Sequence, residues 1–145
     1  MARKPVAWAT AVVLVLETAG VLLLNWILAI VVDKQRMSMA GLEPGAMATG
    51  AWAVGALFGL YLLTCAFVLV RAAVRDRPPG SFGRIALICC AVLHGVLGAF
   101  AVGLLGWGAF ALMMAVLGLL VLTLMAYGSP RGEAVAAGRD VPANG

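Results

Sequence analysis

Apolar and polar positions fall into long blocks along this chain instead of alternating. The first apolar block, PVAWATAVVLVLETAGVLLLNWILAIVV, runs from Pro5 to Val32 and carries one charged residue, Glu17, in its middle. A second runs from about Ala48 to Val70, and Ile85 to Tyr127 contains no charged residue at all. About 20 apolar residues cross a hydrocarbon core of about 30 Å, so the last block is long enough for two crossings. Its break is expected at GLLGWG, residues 103–108, where glycines permit a tight turn and Trp107 suits an interfacial aromatic belt. The pattern predicts an all-α, polytopic membrane protein: a four-transmembrane-helix bundle of two helical hairpins, with helices at about 5–32, 48–70, 85–104 and 108–127.

The polar stretches between blocks read as connections. DKQRMSMAGLEPGAM, residues 33–47, has Glu-Pro-Gly turn chemistry, and RAAVRDRPPGSFGR, residues 71–84, has paired prolines that cannot continue a helix. The tail, residues 128–145, is small, polar and rich in Pro and Gly, and is expected to be disordered. The basic start Arg3-Lys4 resembles the opening of a signal peptide. The apolar stretch behind it is far longer than a 7–15-residue signal core, and no small-residue cleavage site precedes Asp33, so a retained helix is expected.

Composition reinforces this picture. Hydrophobic residues make up 64% of the 145 and charged residues 11%, against roughly 25% charged in soluble domains. The net charge of +4 sits at block edges, where it bears on orientation; no basic helix or zinc-ligand spacing points to nucleic acid. With four spans, Arg3, Lys4, Arg71, Arg75, Arg77, Arg84, Arg131 and Arg139 share one side, and only Lys34 and Arg36 lie on the other. The positive-inside rule then predicts both termini in the cytoplasm (N-in/C-in), in a multi-pass protein of the inner (plasma) membrane. Cys65, Cys89 and Cys90 all fall in apolar blocks without a CxxC spacing and read as small buried side chains.

Candidate chemistry is confined to a few polar groups within the blocks. Glu17 lies about 18 Å of helix rise beyond Pro5, and His94, the one histidine, about 15 Å beyond Arg84. Tyr61 lies about 15 Å before Arg71, so the three are expected in one layer as proton- or ion-binding candidates. A lone charge at mid-bilayer costs about 2.5–3.5 kcal/mol on insertion scales. Glu17 must therefore be neutral, hydrated or partnered, and His94 is the ionisable partner at matching depth. The alternative is that both act as helix–helix hydrogen-bond glue, as Thr18, Asn25, Thr64 and Thr123 are expected to do. Small residues at spacing four, including Gly55 and Gly59 on the second helix and Gly95 and Gly103 on the third, read as packing stripes. They would serve contacts within the chain, in a homo-oligomer or with a partner membrane protein.

No GxSxG, HExxH, P-loop or dinucleotide fingerprint is present, so no catalytic residue, cofactor or metal is expected. Met37, Met39 and Met47 offer thioethers of the kind that bind Cu(I), but methionine more often fills packing gaps. An axial His/Met haem site would need Met113 or Met114 beside His94, and nothing selects them over packing methionines. VLVLETAGV and CAVLHGVLG echo each other, setting Glu17 opposite His94 as a parallel duplication would.

Two resemblances follow from these motifs. ETAG, with Glu17 and Gly20, resembles the Glu-x-x-Gly of the small multidrug-resistance transporters, whose first-helix Glu binds protons and cationic drugs; that resemblance implies a proton-coupled transporter or channel component. The whole form, with Arg75 to Gly80 as an inner-loop motif, resembles small four-span bacterial membrane proteins and implies no particular activity. The reading favoured by sparse polar residues and abundant packing stripes is a non-enzymatic accessory or assembly protein in the lipid bilayer.

Overall fold

The computed structural model describes residues 3–35 and 43–128, and these form four α-helices: α1 (Arg3–Gln35), α2 (Pro44–Arg75), α3 (Ser81–Leu104) and α4 (Trp107–Ala126). All four are long and apolar enough to cross a membrane. The Met37-Ser-Met39 stretch and the tail beyond Gly128 lie outside the described residues.

Helix ends differ from the expected ones for local reasons. Pro44 starts α2 instead of breaking it, because at the first helical position its fixed φ is already helical and its missing N–H is not needed. At the other end α2 runs on through Arg71 to Arg75 and stops at Asp76, whose backbone is left-handed (φ 51°) and whose N–H bonds the Ala72 carbonyl. Pro78 and Pro79 then separate it from α3, which begins a turn earlier than expected, at Ser81. Between α3 and α4, Leu105 and Gly106 both donate N–H groups to the Ala101 carbonyl at 2.9 Å. Gly106 has φ 89°, a conformation that only glycine adopts without strain.

The helices run up, down, up, down. α1 packs along α2 and, over its first half, against α4; α3 packs along α4 and meets α2 near its own start. α1 and α3 stand diagonally opposite, and their backbones nowhere approach within 8 Å. One end of the bundle, the basic end, carries Lys4, Arg75, Arg77 and Arg84; the distal end carries the α3–α4 turn. The core is concentrated towards the basic end, around Leu14, Leu62, Leu69, Leu87, Val116 and Leu120. Every buried residue of α4 lies at or beyond Val116, so the distal half of the bundle is loosely filled.

The outside is as apolar as the inside: Leu57 is 70% exposed, Leu104 80% and Phe67 65%. Trp8 and Trp26, both exposed on α1, are separated by about 27 Å of helix rise, close to the thickness of a hydrocarbon core. Cys65 and Cys90 are buried, but Cys89 is exposed, because one residue turns the helix by about 100°.

The glycines divide into two groups. A Cβ on Gly55 would sit 2.7 Å from Asn25 Cγ, and one on Gly59 would touch Thr18 and Leu22 at 3.4 Å, so both hold α2 against α1. Gly95 and Gly103 have nothing within 4 Å in the Cβ direction. They are not packing positions within this chain, because the face of α3 that meets its neighbours is offset from them. Gly83, against Val68, and Gly98, against Met113 and Met114, take that role. Gly83→Ala places a methyl 2.8 Å from the stiff Val68 side chain and is expected to lower stability by about 1–3 kcal/mol. Gly95→Ala is expected to be neutral or to stabilise by up to about 1 kcal/mol. Thermal unfolding of both variants in detergent checks the pair.

Candidate functional site: the Glu17–His94 pair

The inward face of α3 carries Leu87, Cys90, Ala91, His94, Gly98 and Ala101 at helical spacing. His94 is fully buried on that face, and the Glu17 side chain on α1 is 8% exposed. His94 Nε2 lies 2.9 Å from both Oε1 and Oε2 of Glu17. This bond crosses the centre of the bundle and joins the diagonal helices whose backbones do not meet.

Its partners fix where the protons are. His94 Nδ1 is 2.8 Å from the Cys90 carbonyl oxygen, which only accepts, so Nδ1 carries a hydrogen and donates it. The Cys90 thiol lies farther off, at 3.7 Å from the same nitrogen. A neutral imidazole with hydrogen on Nδ1 presents a lone pair at Nε2. The contact with Glu17 is then attractive only when a proton lies between the two groups. Either the carboxylic acid donates to Nε2, or an imidazolium donates to the carboxylate. Both arrangements leave the pair neutral with one shared proton, which is what an apolar interior tolerates.

Tyr61 does not join this pair. Its hydroxyl donates to the Ala86 carbonyl at 2.7 Å, two helical turns nearer the basic end than His94, and Cys65 Sγ approaches the same oxygen at 3.9 Å. The expected layer sets Arg71 and Arg84 level, but Gly83 packs against Val68 and Cys65 lies beside Ala86, so Arg71 falls about one turn nearer the basic end than Arg84. Thr18, Asn25 and Thr64 bond carbonyls of their own helices, of Leu14, Val21 and Leu60, instead of bridging helices. Thr123 does bridge: its hydroxyl lies 2.9 Å from that of Thr10, tying α4 to α1 near the basic end. Thr10 was missed by the sequence reading; its signal was a position two turns before Glu17, on the same face of α1.

On the distal side of the pair, where α1 and α4 part, an apolar groove of about 630 Å³ opens. Glu17 and Gly20 lie in its wall with Leu24, Phe100, Leu112 and Met113. Towards the basic end the pair is closed off by the packed core around Leu14, Leu62 and Leu120. The arrangement can hold a proton and clamp two helices, and it is reachable from one side only. Comparison with protein-family models, curated proteins and solved structures finds no match.

A double-mutant cycle on Glu17→Ala and His94→Ala is expected to give a coupling of about 1.5–3 kcal/mol, the range for a hydrogen bond to a charged group. Glu17→Gln should retain much of it, because an amide N–H can donate to the Nε2 lone pair. Tyr61→Phe should combine with Glu17→Ala additively to within about 0.5 kcal/mol. Unfolding free energies in mild detergent give all three; a coupling near zero would remove the pair from the account.

Proposed function

We propose that the chain is a multi-pass inner-membrane protein, with both termini in the cytoplasm, that acts without catalysis as an accessory or assembly component of the membrane. The observation that carries this reading is how the buried Glu17–His94 pair is used. Glu17 and His94 are spent on each other, holding α1 to α3, and packed leucines separate them from the basic end. A group so placed braces a scaffold and lacks the hydrated route to both sides that a carrier needs. The apolar exterior, the tryptophan spacing on α1 and the eight-to-two bias of Lys and Arg support the membrane setting and the orientation.

A second reading, a proton-coupled transporter or channel component using Glu17, is favoured by a different observation. Glu17 lies in the wall of the open distal groove, and the pair holds one proton that a ligand or water entering there would meet. The two readings separate in liposomes. The accessory role predicts no proton flux above that of empty vesicles under an imposed pH gradient. Wild-type flux that Glu17→Gln abolishes, in a protein that still folds, would replace it with the transport reading. The accessory role also predicts that the native chain migrates within a larger assembly on native gels of its own membranes; a partner-free monomer there contradicts it.

Orientation has its own test. In intact cells an impermeant thiol reagent should label Lys34→Cys, and should label Lys4→Cys only after the membrane is opened. The opposite pattern would overturn the assigned topology.

A further inference from the structure

At the basic end, a second concavity of about 350 Å³ lies between the end of α2, the Arg77–Gly80 turn and Gly83 of α3. We infer that it is a binding site for the phosphate headgroup of an anionic membrane lipid, a proposal that rests on the membrane reading above. Three exposed guanidinium groups, of Arg71, Arg75 and Arg77, line it, and no carboxylate does. Among the described residues none of the three makes an ion pair; the nearby Asp76 is taken by Lys4 at 3.3 Å. The N-terminus of α3 opens at the same place, with Gly80 as its cap residue and no side chain bonding its first-turn N–H groups. These groups add the positive end of a helix dipole to the three cations.

The order of chemistry along the site selects the ligand. Phe67, Arg71 and Arg75 follow one another at spacing four on one face of α2, with Val68 beside Phe67. The wall is thus cationic at the end of the bundle and apolar about 12 Å further in. A free phosphate ion would use only the cationic part. A lipid uses both, its phosphate among the guanidiniums and its chain along the α2–α3 furrow past Phe67. Arginine forks suit phosphate oxygens, and basic pockets between helices on the cytoplasmic side are where anionic headgroups bind.

The test uses the full chain recovered from carbonate-washed membranes and titrated in mild detergent with phosphatidylglycerol or phosphatidylcholine of equal chain length, read by native mass spectrometry. Phosphatidylglycerol should be retained in preference. Combining Arg71→Gln, Arg75→Gln and Arg77→Gln should weaken its retention roughly 100-fold, at about fivefold per lost charge, while Lys34→Gln at the distal end should leave it unchanged. Equal retention of phosphatidylcholine, unchanged retention by the triple variant, or displacement of the lipid by inorganic phosphate at equal concentration would each overturn the site. The headgroup comparison on the native chain stands even if the triple variant folds poorly. A chain washed off by carbonate would overturn the membrane reading as well, whereas the lipid results bear on the site alone.

Discussion

An apolar interior cannot hold an unpartnered polar group, and the arrangement of this bundle follows from how Glu17 meets that requirement. Its carboxyl group has one ionisable partner, on the diagonally opposite helix. Reaching it fixes how far α1 and α3 rotate about their own axes, since a turn of one residue would carry either side chain about 100° away. The Cys90 carbonyl then fixes the imidazole from behind. Three groups in a line set one proton between Glu17 and His94. Removing a single member of such a buried pair costs more than the pair contributes as a whole, because the survivor is left unsatisfied.

The rest of the packing is unequal along the axis. Near the basic end, the Thr10–Thr123 contact, the Tyr61–Ala86 bond and the close approach at Gly83 tie all four helices together. Towards the distal end, α1 and α2 stay close through Gly55 and Gly59, and α3 and α4 through Gly98. The two hairpins, however, separate and leave the groove beside Glu17. The pair therefore sits at the boundary between a solid half and an open half. In the proposed setting, motion between hairpins would be felt first at that bond, since local opening starts where buried contacts are few.

Much of this was legible in the sequence because the strongest signals were long and simple. Long apolar blocks gave four helices, and a tight turn was foreseeable within GLLGWG, where Gly106 supplies the positive φ. The meeting of Glu17 and His94 followed from depth, and both had one plausible partner. What depth could not supply was azimuth and the axial offset between helices. Tyr61 shares a layer with His94 only if Arg71 and Arg84 are level, yet the packing of Gly83 on Val68 sets Arg71 about one turn nearer the basic end. Gly95 and Gly103 fit a spacing rule but not the face that meets α4. Thr18, Asn25 and Thr64 had a nearer acceptor in their own helices, one turn back, than in any neighbour.

Because the chain has one histidine, a nitrogen-15 spectrum of the labelled protein in lipid reports on His94 alone. The expected spectrum shows a hydrogen on Nδ1 engaged with a carbonyl, and an Nε2 resonance that responds to the Glu17 carboxyl group and changes on Glu17→Ala. A ring with its hydrogen on Nε2, a free Nδ1 and no response to Glu17 would mean that the two side chains do not share a proton, and the diagonal brace would have to be abandoned.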